Sequence, residues 1–291
     1  MTHSQPTILV IGATGSVGSA LAKQLGDHNI PFRAMVRNLD LAKTLKQLNG
    51  AELVVGDFKD KQSIVSALKG IEKVFLVTNS SEEAEDLQCN FVYSARKNGV
   101  KHLVKLSQFA ADVNSPVRFL RYHAVVEQKI RESGLQYTFL RPNLFMQGLL
   151  GFAEPIKYQQ QFFATAGNAK ISLVDIRDIA AVALKVLTTA GHENHIYNIT
   201  GPEAITHQEI AKILSQVMGR EIRYINVSDE EMQSALLKVG FPAWQAAGLI
   251  EDYAHYARGE AAVISNAVEE VTGKAPRKFI DFVQEYKSAF E

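Results

Sequence analysis

An apolar run, Ile8 to Ile11, is followed at once by glycines at 12, 15 and 18 in the stretch Thr7-I-L-V-I-G-A-T-G-S-V-Gly18. A buried strand that passes through such a turn into a helix leaves few folds open. Gly12 lets the chain reverse, Gly15 lets the backbone approach a pyrophosphate, and Gly18 lets the helix pack closely on the strand. The amides that open the helix, from Ser16 onward, point at an anion whose charge the helix dipole favours. Gly12, Thr14, Gly15, Ser16, Val17 and Gly18 are therefore candidate contacts for a dinucleotide.

The surroundings support this. Val17, Leu21 and Leu25 give the following helix one apolar face, and a second strand, 32–36, stands where a βαβ unit requires it. Further strands are expected at 52–55, 73–77, 101–106 and 136–140, each separated by a segment of helical periodicity. That alternation predicts an α/β fold of Rossmann type, a doubly wound parallel sheet. After Pro142 the pattern changes. A helix is expected from Leu144 to Tyr158, a strand at 170–174, a helix from Asp178 to Leu187 and a short strand at 196–199. From Thr206 the chain is mostly helical, with a strand-like piece at Glu221-I-R-Y-Ile225. The division expected is a dinucleotide-binding domain over 1–150, to which 170–200 returns. The smaller, mostly helical substrate part comprises 151–169 and 201–291, packed on the carboxyl ends of the sheet.

Composition narrows the functions available. With 46% hydrophobic residues in 291, the chain can bury a full core, and 31 basic against 31 acidic residues leave no net charge to attract nucleic acid. The single cysteine, Cys89, forms no intrachain disulfide and is too few for a thiolate metal site, so no metal is expected. The polar start Met1-T-H-S-Q-Pro6 lacks the character of a secretory signal, and no apolar run reaches membrane-spanning length. A soluble, cytoplasmic protein without a membrane partner is expected, with assembly into a homo-oligomer left open.

Several motifs together carry a family likeness. The turn G-A-T-G-S-V-G, Val36-Arg37, Gly56-Asp57, Leu140-R-Pro142, Val174-D-I-R-D-I-A-A-V-A183 and Thr200-G-P-E-A-I-T-H-Q-E-Ile210 resemble the NmrA-like group of atypical short-chain dehydrogenases. Over nearly the whole chain the sequence is similar to the branch that contains NAD(P)H-dependent quinone oxidoreductases and triphenylmethane dye reductases. The combination is specific for the family and much less so for a substrate.

The end of the second strand bears on which dinucleotide is used. A site for NAD places a carboxylate there on the ribose 2′-hydroxyl, and that carboxylate would repel a 2′-phosphate. This chain has Arg37, whose guanidinium takes a phosphate bidentately and stacks on adenine, so NADP(H) is expected over NAD(H). Lys43 can add charge, although a solvated lysine is the simpler view. Asp57 resembles the family residue that accepts from the adenine amino group, with Phe58 beside the ring. Topology places Thr78 and Asn79 along the ribose and phosphates, and Ser107, Pro142, Asn143 and Phe145 near the nicotinamide.

The candidate catalytic residues are Ser107, His123 and Glu127. Typical short-chain dehydrogenases use a Ser after strand five and a Tyr-x-x-x-Lys on the next helix. Ser107 fits the first requirement, and nothing on that helix fits the second. The literal match Tyr93-S-A-R-Lys97 precedes strand five and is an ordinary helix face. The correct helix reads Arg121-Y-H-A-V-V-E-Q-Lys129, in which His123 and Glu127 lie four apart on one side. The resemblance implies that this pair is native to the branch. His123 would polarise or protonate a substrate oxygen, with Glu127 orienting its ring and raising its pKa. The same spacing equally fits a surface pair of modest stabilising effect.

Without the tyrosine acid, reduction of a simple ketone to a strongly basic alkoxide is disfavoured. A quinone leaves a hydroquinone anion with a conjugate acid of pKa about 10, which water can protonate. Gln108, Phe109 and Leu144 would line the acceptor site, and Trp244, Tyr253 and Tyr256 would close it over a flat ring, with core packing as the alternative for each late aromatic. Lys129 would neutralise a substrate charge or simply be solvated. Two functions remain: an NADPH-dependent reductase of a quinone-like or other electron-poor aromatic acceptor, or a non-catalytic NADP-binding redox sensor that acts through a protein partner.

Overall fold

In the computed structural model, which describes residues 5–291, the first strand β1 (Ile8–Ile11) runs into Gly12 at φ +66° and on into helix α1 (Ser16–Asp27). Glycine holds that φ without the Cβ crowding most other residues would meet there. The succession continues with β2 (Phe32–Val36), β3 (Ala51–Val55), α2 (Lys61–Ala67), β4 (Lys73–Leu76), α3 (Ala84–Lys97), β5 (His102–Leu106), α4 (Arg118–Glu132) and β6 (Gln136–Pro142). Beyond it lie α5 (Ala153–Gln159), β7 (Gln161–Ala164), α6 (Ile176–Thr188), β8 (His195–Ile199), α7 (His207–Met218), β9 (Arg223–Asn226) and α8 (Asp229–Lys238). The chain closes with α9 (Ala243–Ala257), α10 (Ala267–Thr272), α11 (Phe279–Glu285) and α12 (Lys287–Phe290).

Among the described residues seven strands form one parallel sheet in the order β3-β2-β1-β4-β5-β6-β8. The order reverses between β1 and β4, which opens a crevice at their carboxyl ends. This is the doubly wound fold expected.

The period-two alternation of the strands feeds two cores. Val10, Val104 and Leu140 face α1 and α6, where Leu21, Leu25, Val182 and Val186 are buried. Leu9, Leu103 and Phe139 face the other way, against Phe91, Val92, Val126 and Ile130 of α3 and α4. A third cluster gathers Met146, Ile156, Phe162, Ile171, Leu214, Phe279 and Phe282. Arg277 pairs with Asp178, and Arg177 bridges Asp175 and Glu285, so the late helices are held to α6.

Three local expectations need correction. The segment 170–174 forms no strand: Ile171 and Val174 make single bridges to Ile205 and Phe145. The second small sheet is instead β7 paired parallel to β9. The expected helix Leu144–Tyr158 is a 3₁₀ stretch, Met146–Phe152, followed by α5. Pro155 explains the break, because its ring and missing N–H confine it to the first turn of an α-helix, and α5 accordingly begins at Ala153. Between β2 and β3 the chain makes two 3₁₀ turns, Asp40–Ala42 and Leu45–Gln47, in place of an α-helix. Ala42 and Leu45, three apart, turn inward together as three residues per turn requires.

Candidate functional site

At the head of the crevice the glycine turn is as tight as three side-chain-free positions allow. A Cβ on Gly18 would overlap the Gly12 carbonyl, and one on Gly12 would lie 2.7 Å from the Val77 carbonyl oxygen. Gly15 caps α1 and its amide donates to Gly12 O at 2.9 Å. No side chain caps the helix, so the amides of Ser16, Val17 and Gly18 face outward without intrahelical acceptors. Thr14, Gly15 and Ser16 are exposed, while the Val17 side chain is buried in the core and offers only its backbone. This cradle fits a pyrophosphate.

Along the same edge Arg37 and Lys43 are exposed, and neither makes a hydrogen bond or ion pair among the described residues. Asp57 is exposed after β3; its amide donates to Ser63 Oγ at 3.0 Å, and Phe58 packs on Phe91 with ring centroids 5.3 Å apart. Asn79 is exposed, and Thr78 accepts a 2.8 Å hydrogen bond from Gln88 Nε2. Tyr93 of the literal Tyr-x-x-x-Lys match lies 68% exposed on α3.

Beneath this edge lies a polar group that sequence reasoning missed. Lys105, the fourth residue of β5, is fully buried. Its ammonium reaches Gln88 Oε1 at 2.8 Å, Leu106 O at 3.2 Å and His123 Nδ1 at 2.9 Å. Burial lowers its pKa to about 7, against the opposing pull of Glu127. His123 is likewise buried, and burial first, then Lys105 and Arg141, hold its ring well below the ordinary imidazole range. The one sign of Lys105 in the sequence is a lysine between Val104 and Leu106 in an otherwise apolar strand.

His123 and Glu127 do share one side of α4, and neither is a surface residue. Glu127, however, does not orient the imidazole. Its carboxylate accepts from Ser107 Oγ at 2.6 Å and from Arg141 Nε and Nη2 at 2.8 and 2.6 Å. A forked guanidinium is the stronger partner for a buried carboxylate, and the Nδ1 of His123 is already taken by Lys105. The expected rise in the His123 pKa is therefore a fall.

Among the residues expected to line an acceptor, Gln108 Nε2 donates to both carboxylate oxygens of Asp252 on α9, at 3.0 and 2.9 Å. Burial raises Asp252 to about 7. This acid was also missed, since an Asp inside a helix looks solvated until its neighbours are known. Phe109 is buried, and Leu144 packs against the third apolar cluster. Trp244 packs on Phe119 at 5.3 Å, with Arg118 over its ring at 5.5 Å. Tyr253 and Tyr256 meet edge to face at 5.5 Å, and Tyr256 is in the core. Lys129 is exposed.

Of the residues placed near the nicotinamide, Pro142 ends β6 and Phe145 leans on the first core. Asn143 has another occupation: its side chain donates to Ser172 Oγ at 2.8 Å and Ala261 O at 2.9 Å and accepts from the Leu144 amide. That side chain ties two segments together, which leaves only the backbone there for a nucleotide.

The model of the NmrA-like family matches residues 4–288. The chain belongs to that family. It is 36% identical over 283 residues to the NAD(P)H azoreductase of Xenophilus azovorans, covering 97% of this chain and 99% of that one. Among solved structures it resembles the NADPH-dependent quinone oxidoreductase of Escherichia coli complexed with NADPH, with TM-score 0.87 at 28% identity, covering 96% and 99% of the two chains. The Citrobacter triphenylmethane reductase complexed with NADP(H) gives 0.83 at 29%, covering 97% and 99%. No described helix is long and apolar enough to cross a membrane.

Proposed function

We propose that this protein transfers hydride from NADPH to a quinone-like or other electron-poor aromatic acceptor. It is an NADP(H)-dependent oxidoreductase of the atypical short-chain dehydrogenase type, as its relatives named azoreductase, quinone oxidoreductase and triphenylmethane reductase indicate. The choice of acceptor rests on one observation: the acid–base position holds a neutral His123 backed by Lys105, with no ionisable tyrosine. The adjacent Tyr122 is no substitute. It is buried, bonded to Ser80 at 2.9 Å, and burial raises its phenol pKa well above the usual range.

The turn amides of residues 14–18 would hold the pyrophosphate, Arg37 the 2′-phosphate, Asp57 and Phe58 the adenine, and Thr78 and Asn79 the ribose side. When bound, NADPH supplies the hydride. His123 presents its Nε2 hydrogen to an acceptor oxygen, and Ser107, fixed by Glu127, borders the same place. Gln108, fixed by Asp252, orients the acceptor from the α9 side, and residues 151–169 and 201–291 form the substrate half. Acceptors whose reduced forms hold charge well suit so modest an acid.

The test is oxidation of NADPH by the purified protein against a panel of small quinones and azo dyes. Saturable turnover supports the reductase. Tight NADPH binding without turnover of any acceptor would favour the sensor, for which no particular residue here speaks.

A further inference from the structure

The ammonium of Lys105 has three hydrogens and three acceptors: Gln88 Oε1, Leu106 O and His123 Nδ1. In a site with no solvent exposure this is complete satisfaction of the charged form. With the ammonium donating, Nδ1 accepts and the ring hydrogen sits on Nε2. Among the described residues that nitrogen has no partner, and it is not one of the buried unpartnered atoms, so it stays open where His123 keeps its 8% exposure. The charges facing the pair are Glu127 of α4 and Arg141 of β6, bound to one another, with the Cys89 thiol nearby on α3.

We propose that Lys105 is the positioning residue behind His123, refilling the imidazole at Nδ1 as the ring gives its Nε2 proton to the oxygen of the reduced acceptor. This inference rests on the reductase function proposed above.

A neutral imidazole that loses a proton with no replacement becomes an imidazolate, a far stronger base than any phenolate. His123 alone is therefore a hydrogen-bond donor but not an acid. With Lys105 behind it the transfer balances. An acceptor that has taken the hydride bound NADPH would supply carries an oxyanion; the Nε2–H bond of His123 breaks as the O–H bond forms. The Nζ–H bond breaks as the Nδ1–H bond forms. Lysine ends as a neutral amine, the imidazole stays neutral with its hydrogen moved, and no further reductant is needed. Water at the crevice then protonates Nε2, and the Nδ1 hydrogen returns to the amine. An amine that titrates near neutrality is suited to both halves of this cycle.

Two measurements on the full chain test the pair. Nitrogen-15 spectra of the histidine-labelled protein at pH 6 should show His123 neutral with Nε2 protonated and Nδ1 bare; an imidazolium, or a protonated Nδ1, overturns the proposal. The second uses Lys105→Met, which keeps the volume but takes a donor away from Gln88, Leu106 O and His123, so its fold is first compared with wild type by circular dichroism. Across quinones whose hydroquinones span a range of acidity, kcat of the variant should fall little for the most acidic. For the least acidic it should fall roughly 100-fold, with NADPH affinity by fluorescence within about twofold of wild type. A uniform loss, or no loss, overturns the proposal. A wild type that oxidises NADPH with none of the quinones or azo dyes overturns the reductase function and the transfer together, whereas an active wild type with an equally active variant overturns the pair alone.

Discussion

Arg141 forks the carboxylate of Glu127 with two hydrogen bonds, at 2.8 and 2.6 Å, and so joins β6 to α4 directly beneath Ser107. Glu127 has no solvent exposure and Arg141 keeps 19%. Glu127→Gln leaves a largely buried guanidinium with half its partner, and should lower stability by about 3 kcal/mol. Urea unfolding measures it, and a loss below about 1 kcal/mol would mean that the pair behaves as a surface bridge.

Arg37 stands exposed at the end of β2 without a partner among the described residues, which leaves its guanidinium available to a phosphate. Arg37→Asp replaces a charge-assisted hydrogen bond to that phosphate with a repulsion, and should weaken NADPH roughly 10- to 100-fold while NADH changes little. Titration of both nucleotides decides it. Equal losses would remove Arg37 from the 2′-phosphate.

Gly18 lies where any Cβ would run into the Gly12 carbonyl. In Gly18→Ala the turn must open or α1 must shift, either of which displaces the amides of Ser16 and Val17. Nucleotide binding should be lost to a much greater degree than the ~1–3 kcal/mol of stability such backbone strain costs. Unaltered NADPH affinity in this variant would place the pyrophosphate elsewhere.

Buried histidines make the fold sensitive to acid. Burial lowers His102 and His207 to about 4 from the ordinary 6.5. Between these values the unfolded chain binds protons that the folded one refuses, so stability is full above pH 6.5 and is lost as pH falls towards 4. Each contributes a slope of up to about 1.4 kcal/mol per pH unit. Asp252 acts in the opposite sense: its folded pKa of about 7 lies above the ordinary 3.8, so its contribution falls as pH rises across that window. Asp252→Asn should therefore be relatively more stable at pH 8 and lose stability more steeply below pH 6.5. Denaturant midpoints at pH 5, 6.5 and 8 report this, and parallel curves for the two proteins would refute it.

The glycine turn and the parallel sheet were legible because each is written in local pattern: an apolar strand, three glycines and a regular alternation of strand and helix. His123 and Glu127 were legible as a helix-face pair. Their partners were not, because Lys105 lies on β5 and Arg141 on β6, and only the packing of α4 on the sheet decides which carboxylate or ammonium each one meets. Asn143 shows the same limit: its place after β6 was foreseeable, but its bond to Ala261, 118 residues away, was not. The strand β7 was missed because Gln-Phe-Phe-Ala is too short to carry a period of its own and becomes a strand only beside β9.

The single amide of Gln108 is shared between two ends of the molecule. It follows Ser107 in the chain, yet it is clasped by Asp252 in the middle of α9. Anyone reshaping the proposed acceptor pocket through α9 will also be moving the neighbour of Ser107. Specificity and rate should consequently change together, and libraries that vary α9 are best built with Gln108 and Asp252 varied as one unit.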